Sequence, residues 1–201
     1  MKATSNYKKY TSKNPFQRFL IENFYKILLQ IIGNLKAETI LDAGCGEGFT
    51  LVRLQNLGSA KRLEGIDYSL EVIALGKKMH PALILRQGDI NIMPYNNNCF
   101  DLVICSEVLE HLEYPQKALK EIERVSKRYC LLSVPNEPFF MIANLLRGKN
   151  LSRLGNDIEH INHWSSKSFE KFVKENGWKP LVIKTSFPWV LILAEKNRYY
   201  E

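Results

Sequence analysis

Asp42, Gly44, Gly46 and Gly48 stand close together in the stretch Ile40-Leu41-Asp42-Ala43-Gly44-Cys45-Gly46-Glu47-Gly48-Phe49. Glycine at alternate positions lets a backbone come close to a ligand. A helix starting at Phe49 would turn free N–H groups toward that ligand's polar or negative atoms. About 20 residues after the loop stands Asp67, at the distance where nucleotide-binding βαβ units carry a ribose-binding acid. One carboxylate can accept hydrogen bonds from both ribose hydroxyls. Asp67 could instead cap the next helix, although Ser69 is better placed for that. The imidazoles of His111, His160 and His163 are candidate bases. Glu107, Glu110 and His111 have a spacing that could face a metal, but nothing in the sequence closes the coordination sphere and no metal is expected.

These groups need elements to hold them. Thr39, Ile40 and Leu41 open a strand, and Leu51, Val52 and Leu54 give the helix after the loop its apolar set, with Gly58 as its stop. Arg62 to Asp67 reads as a second strand and Leu83 to Ile90 as a third, separated by a helix over Leu70–Met79 that His80-Pro81 breaks. Phe100 to Ser106 is apolar enough for a strand buried on both faces. A helix over Pro115 to Ser126 leads to a fifth strand, Tyr129 to Pro135. Strands separated by helices pair in parallel. Upstream, Asn14-Pro15-Phe16-Gln17 has the cap, proline and N3 residue of a helix start. Phe16, Phe19, Leu20, Phe24, Ile27, Leu28 and Ile31 form that helix's apolar face, and Gly33 closes it. The polar Tyr7 to Lys13 arm before it folds over the site or frays. After the fifth strand come a short apolar helix, Phe139 to Leu146, and a polar run to Trp164. Ser165 then caps a helix carrying Phe169, Phe172 and Val173, and two antiparallel strands (Lys179 to Ser186, Trp189 to Glu195) close the chain.

A lone glycine loop does not name its nucleotide. A dinucleotide fingerprint begun at Gly44 would need a third glycine where Phe49 stands, and one begun at Gly46 would need it at Leu51. The Gly-Lys-Ser/Thr of a phosphate-gripping loop is absent, as is the Gly-x-Ser-x-Gly elbow of a hydrolase. Leu-Asp-Ala-Gly-Cys-Gly-Glu-Gly, Gly-Ile-Asp (65–67), Gly-Asp-Ile (88–90) and Phe-Asp-Leu-Val (100–103) with Glu-His-Leu (110–112) together resemble the class I S-adenosylmethionine-dependent methyltransferases. The resemblance is to their broad small-molecule branch, methyltransferase type 11-like, which includes quinone- and lipid-biosynthetic members.

That resemblance implies an α/β fold, three-layered and Rossmann-like, with a seven-stranded, mostly parallel sheet of order 3-2-1-4-5-7-6 and helices on both faces. It implies S-adenosyl-L-methionine as cofactor, held by Asp42, Gly44, Gly46, Gly48, Asp67, Tyr68, Asp89, Ile90 and Ser106, with Asp89 and Ile90 at the adenine. It makes residues 1–201 one methyltransferase domain, with an N-terminal arm and lid helix over 1–35. The insertion at 136–164 leaves the carboxyl end of a strand, where ligands of such sheets bind, and is the expected substrate cover. Methyl transfer from a sulfonium is a direct displacement, so alignment matters most. A base (His111, His160 or His163) is needed only for a protonated nucleophile. The expected acceptor is an O or N atom of a small or carrier-linked molecule: lipid, quinone or glycan. No Asp-Pro-Pro-Tyr or Asn-Pro-Pro-Tyr follows the fourth strand, so a nucleic-acid base is not the expected acceptor. A nicotinamide oxidoreductase and a non-catalytic, cofactor-binding partner subunit stay open as alternatives.

The formal charge is +7 over 201 residues. Lys2, Lys8, Lys9, Lys13 and Arg18 precede the first acid, Glu22, and Arg147, Lys149 and Arg153 form a second basic cluster. Such charge either solubilises or attracts an acidic substrate, a polyphosphate carrier or an anionic membrane surface; nucleic acid would also fit it. Four scattered cysteines without a Cys-x-x-Cys pair point to reduced thiols in a cytoplasmic protein. The N-terminus lacks the apolar run of a signal peptide.

Overall fold

The computed structural model describes residues 5–58, 60–146, 150–155, 157 and 159–197. Seven strands, β1 (Thr39–Ala43), β2 (Arg62–Asp67), β3 (Ile84–Gln87), β4 (Phe100–Ser106), β5 (Ser126–Pro135), β6 (Trp178–Ser186) and β7 (Trp189–Lys196), form one sheet of order β3-β2-β1-β4-β5-β7-β6. β1 to β5 run parallel, and β7 runs antiparallel to both β5 and β6. The expected order and mixed direction are those observed. The third strand is shorter than the expected Leu83 to Ile90: it spans Ile84–Gln87, and Gly88 and Asp89 begin the loop beyond it.

Alternation along β4 explains the two cores. Val103 and Cys105 join one, Leu102 and Ile104 the other, as expected when successive side chains point to opposite faces; Phe100, ahead of a register shift in the strand, joins the first. On the first face lie α5 (Pro115–Val125), through Ala118, Leu119, Ile122 and Val125, and α7 (Ser166–Glu175), through Phe169 and Val173. The second face is covered by α2 (Pro15–Gly33), α3 (Phe49–Leu57) and α4 (Leu70–Met79). The sheet is therefore apolar on both sides, which accounts for the near-continuous hydrophobic run of β4.

Local chemistry sets the helix starts. Asn14 Oδ1 accepts from the Phe16 and Gln17 amides at 2.9 and 3.1 Å, with Pro15 at the first helical position. Ser69 caps α4 through the Val72 amide, and Ser165 and Ser168 form a reciprocal capping box on α7. The buried face of α2 is Leu20, Ile21, Phe24, Tyr25, Leu28, Ile31 and Ile32. Phe16 and Phe19 were expected on it but are exposed, because at about 100° per residue they fall off the arc that the buried residues occupy. The polar arm carries a short helix, α1 (Ser5–Tyr10), which packs on α2. Between β5 and α7 stands α6 (Phe139–Leu146). Lys2 in the arm and Arg147 and Lys149 in the second basic cluster lie outside the described residues.

Candidate functional site

β1 ends in Asp42 and Ala43, and the chain then turns through Gly44, Gly46 and Gly48, all at positive φ (85°, 54° and 90°). At Gly44 space acts as well as conformation, whereas at Gly46 the neighbour is only the end of a flexible side chain. A Cβ on Gly44 would sit 2.2 Å from Val108 Cγ2, and one on Gly46 would sit 2.5 Å from Asn6 Nδ2. The loop is hung on the neighbouring strand: the Gly44 and Cys45 amides both donate to the Ile66 carbonyl, at 2.8 and 3.0 Å. The Asp67 carboxylate at the end of β2 accepts from the Gly46 amide (2.9 Å) and from the Ser69 amide (2.9 Å). Asp67 therefore braces the glycine loop, a second job beside any ligand it holds, while Ser69 does the capping.

Above this loop a cavity of about 900 Å³ opens at the carboxyl ends of β1, β2 and β4, where doubly wound sheets bind their ligands. Asp42, Gly44, Gly46, Asp67, Tyr68, Asp89, Ile90 and Ser106 all line it. Gly48 does not; its α-carbon faces the Leu83 and Leu85 side chains, and its positive φ serves the turn into α3. Tyr68 is largely exposed, whereas Asp42 is buried. Asp42 Oδ2 has no hydrogen-bond partner. Burial, and then the charge of Asp67, push the Asp42 carboxyl up to about 7. A buried acid with an unpartnered oxygen facing a cavity is suited to a cationic ligand.

The far wall comes from the end of β4 and from the segment beyond β5. Glu107 has a left-handed backbone (φ 59°), unusual for a residue with a Cβ. Its Oε2 accepts from Trp189 Nε1 (2.6 Å) and Lys9 Nζ (3.0 Å). Glu110 is buried with neither carboxylate oxygen hydrogen-bonded; burial, reinforced by Glu107, holds its carboxyl well above the usual range. His111 Nδ1 lies 2.8 Å from the Glu159 carbonyl, and the His111 and His160 rings are 5.1 Å apart. Burial, then His111, lower the His160 imidazole from its ordinary value. The segment carrying His160 is fastened to the β4 end: the Ile161 and Asn162 amides donate to the Glu110 carbonyl, and Asn162 Nδ2 to the Leu109 and Leu112 carbonyls. Of the three histidines, His111 and His160 line the cavity. His163 stands apart from it, 3.9 Å from Glu137.

Sequence reasoning missed the arm's side chains at this site. Asn6 Nδ2 lies 2.5 Å from Glu47 Oε2, and Tyr10 packs on Phe49 with ring centroids 4.7 Å apart. No local pattern announces those contacts. Trp189, at the start of the last strand, was equally unmarked.

The methyltransferase-domain family model matches residues 41–133. The chain is 28% identical over 102 residues to a demethylmenaquinone methyltransferase of Renibacterium salmoninarum, a match covering 51% of this chain and 42% of that protein. The chain thus spans less than half the length of that relative. A protein of Pyrococcus horikoshii superposes with TM-score 0.75 at 18% identity, covering 94% of this chain and 96% of the other. The magnesium protoporphyrin IX methyltransferase of Synechocystis, solved with bound S-adenosylhomocysteine, superposes with TM-score 0.69 at 18% identity, covering 94% and 92%. Residues 41–133 are thus similar to the methyltransferase domain, and the sheet has the Rossmann-like fold of solved class I methyltransferases, whose cofactor is S-adenosylmethionine.

Proposed function

We propose that the protein transfers the methyl group of S-adenosylmethionine to an O or N atom of a small or carrier-linked acceptor (lipid, quinone or glycan). The observation that carries this reading is one continuous cavity shared by the Asp42 and Asp67 carboxylates and the His111 and His160 imidazoles. Its volume is at the upper end of the roughly 300–1,000 Å³ of small-molecule sites, which suits two reactants rather than one.

The residues present suit the cofactor. Asp42 offers a buried, unpartnered oxygen to a cation, and Gly44 and Gly46 line the cavity without side chains. In this reading Asp67 holds the ribose while bracing the loop, and Asp89 and Ile90 flank the adenine, with Tyr68 and Ser106 completing the wall. Bound there, the sulfonium supplies an electrophilic methyl and a neutral leaving group. What the chain itself contributes is alignment, exclusion of water and, for a hydroxyl acceptor, a place for its proton at His111 or His160. His163, beside Glu137 and off the cavity, serves as a loop anchor.

The insertion at 136–164 is the substrate cover in this reading, supported by Phe140, Asn144 and His160 on the cavity wall. It also exposes Phe139, Ile142, Leu151, Leu154 and Ile161. Those apolar side chains, with the basic arm, favour an apolar carrier and contact with an anionic membrane surface. No helix among the described residues is long and apolar enough to cross a membrane. The open cavity above Gly44 favours an enzyme over a non-catalytic partner subunit, which needs no acceptor space.

Turnover settles the matter. Release of S-adenosylhomocysteine is measured across quinols, glycans, lipid carriers and small acids. Asp67→Ala is expected to weaken cofactor binding by about 1.5–3 kcal/mol, the usual cost of losing hydrogen bonds to a charged acceptor. Cofactor affinity unchanged in that variant would overturn the assignment.

A further inference from the structure

Glu110, His111 and His160 each place a ligand-capable atom within 4.8 Å of the other two, on one wall of the cavity. In sequence they are an adjacent pair and a residue 49 positions on; only the fastening of the insertion to the β4 end unites them. Glu110 is the informative member. It is 1% exposed, both its oxygens lack partners, and a charge buried without a counterion is costly. Lys9, an arm lysine on the cavity lining, is already engaged by Glu107 at 3.0 Å.

We propose that these three residues hold a divalent first-row transition cation, such as Mn²⁺ or Zn²⁺, at the acceptor end of the cavity. Two imidazoles and one carboxylate are a donor set for that class of ion, whereas magnesium and calcium favour all-oxygen surroundings. His111 is oriented for the task. With Nδ1–H donated to the Glu159 carbonyl, Nε2 keeps its lone pair for a metal, the outer-partner arrangement that ligating histidines commonly show. Bonds of about 2.0–2.2 Å bring such ligands roughly 3–3.5 Å apart, so the ligand atoms, within 4.8 Å of one another, close by at most about 1.3–1.8 Å on loading. Three protein ligands leave open positions on the cavity side. An acceptor hydroxyl or phenol oxygen fits there, and the cation would make that oxygen more acidic than an imidazole alone could. This use of the ion rests on the methyl-transfer reading; the binding does not.

The test treats the two separately. Metal-stripped protein is titrated with Mn²⁺ by electron paramagnetic resonance and with Zn²⁺ by calorimetry, and S-adenosylmethionine binding is measured on the same samples. Wild type is expected to take up one equivalent per chain. Glu110→Gln and His160→Ala are each expected to weaken uptake more than about 100-fold, beyond the 10–100-fold typical of outer partners, with cofactor affinity within about twofold of wild type. Retained cofactor binding shows that the variants are folded. Absence of saturable uptake in wild type, or uptake unaltered in both variants, overturns the metal site. If cofactor binding fails in wild type while metal binding holds, the methyl-transfer reading falls and the metal site stands.

Discussion

With the cofactor seated beside it as proposed, Asp42 makes cofactor affinity depend on pH in a direction that can be worked out beforehand. Its carboxyl titrates at about 7 in the free protein because it is buried and stands near Asp67. A cationic ligand beside it restores an ordinary, low value, so binding expels a proton wherever the free protein holds one. The ionised fraction is about 0.09 at pH 6 and about 0.91 at pH 8, so the dissociation constant should fall about tenfold between them, or about 1.4 kcal/mol. Calorimetry in two buffers of different ionisation enthalpy should show about 0.9 proton released at pH 6 and about 0.1 at pH 8. Asp42→Asn removes the titration, and any slope remaining in that variant belongs to the ligand. A flat profile in wild type, or equal slopes in both proteins, refutes the reasoning.

The same group has a signed effect on stability. The folded carboxyl is raised above its unfolded value of 3.8, so the folded state binds the proton more tightly. Asp42 therefore favours the fold at low pH, and that contribution drains away as pH climbs from about 4 to about 7. The ceiling on the change is about 4 kcal/mol, at roughly 1.36 kcal/mol per pH unit. Denaturation of the ligand-free protein should show Asp42→Asn gaining on wild type over this window, and no relative gain would contradict the burial argument.

Two further outcomes test the frame of the site. Gly44→Ala should cost about 2–4 kcal/mol, from a left-handed φ and a Cβ driven into Val108; adding Val108→Ala should return part of that, read as a coupling energy in urea denaturation. Asn162→Ala removes both side-chain bonds that tie the insertion to the Leu109 and Leu112 carbonyls, and should cost about 1–2 kcal/mol. Hydrogen exchange should then speed up over 159–164 ahead of the β-sheet, and uniform exchange would argue against a local tether.

The sheet could be anticipated because its information is local. Alternation in β4, the Asn14 and Ser165 caps, and positive-φ glycines after β1 each state their structural requirement within a few residues. The face of α2 was legible from Leu20 onward; Phe16 and Phe19 have helical spacing but fall off the buried arc. The site divides in the same way. Asp42, Gly44, Gly46 and Asp67 come from one βαβ unit, so their convergence follows from chain geometry alone. His160 is different: its meeting with Glu110 and His111 depends on amides 161 and 162 finding the Glu110 carbonyl, a contact with no sequence period. His163, three residues on, has the same residue type and is turned toward Glu137. Residue type and proximity in sequence therefore could not tell the two histidines apart; the backbone pairing to Glu110 does. This is why an incomplete ligand set, Glu107, Glu110 and His111, was the most that spacing could suggest. The completing imidazole arrives from the far side of β5, on the same segment proposed as the substrate cover, so any cation held there would be coupled to the placement of the acceptor.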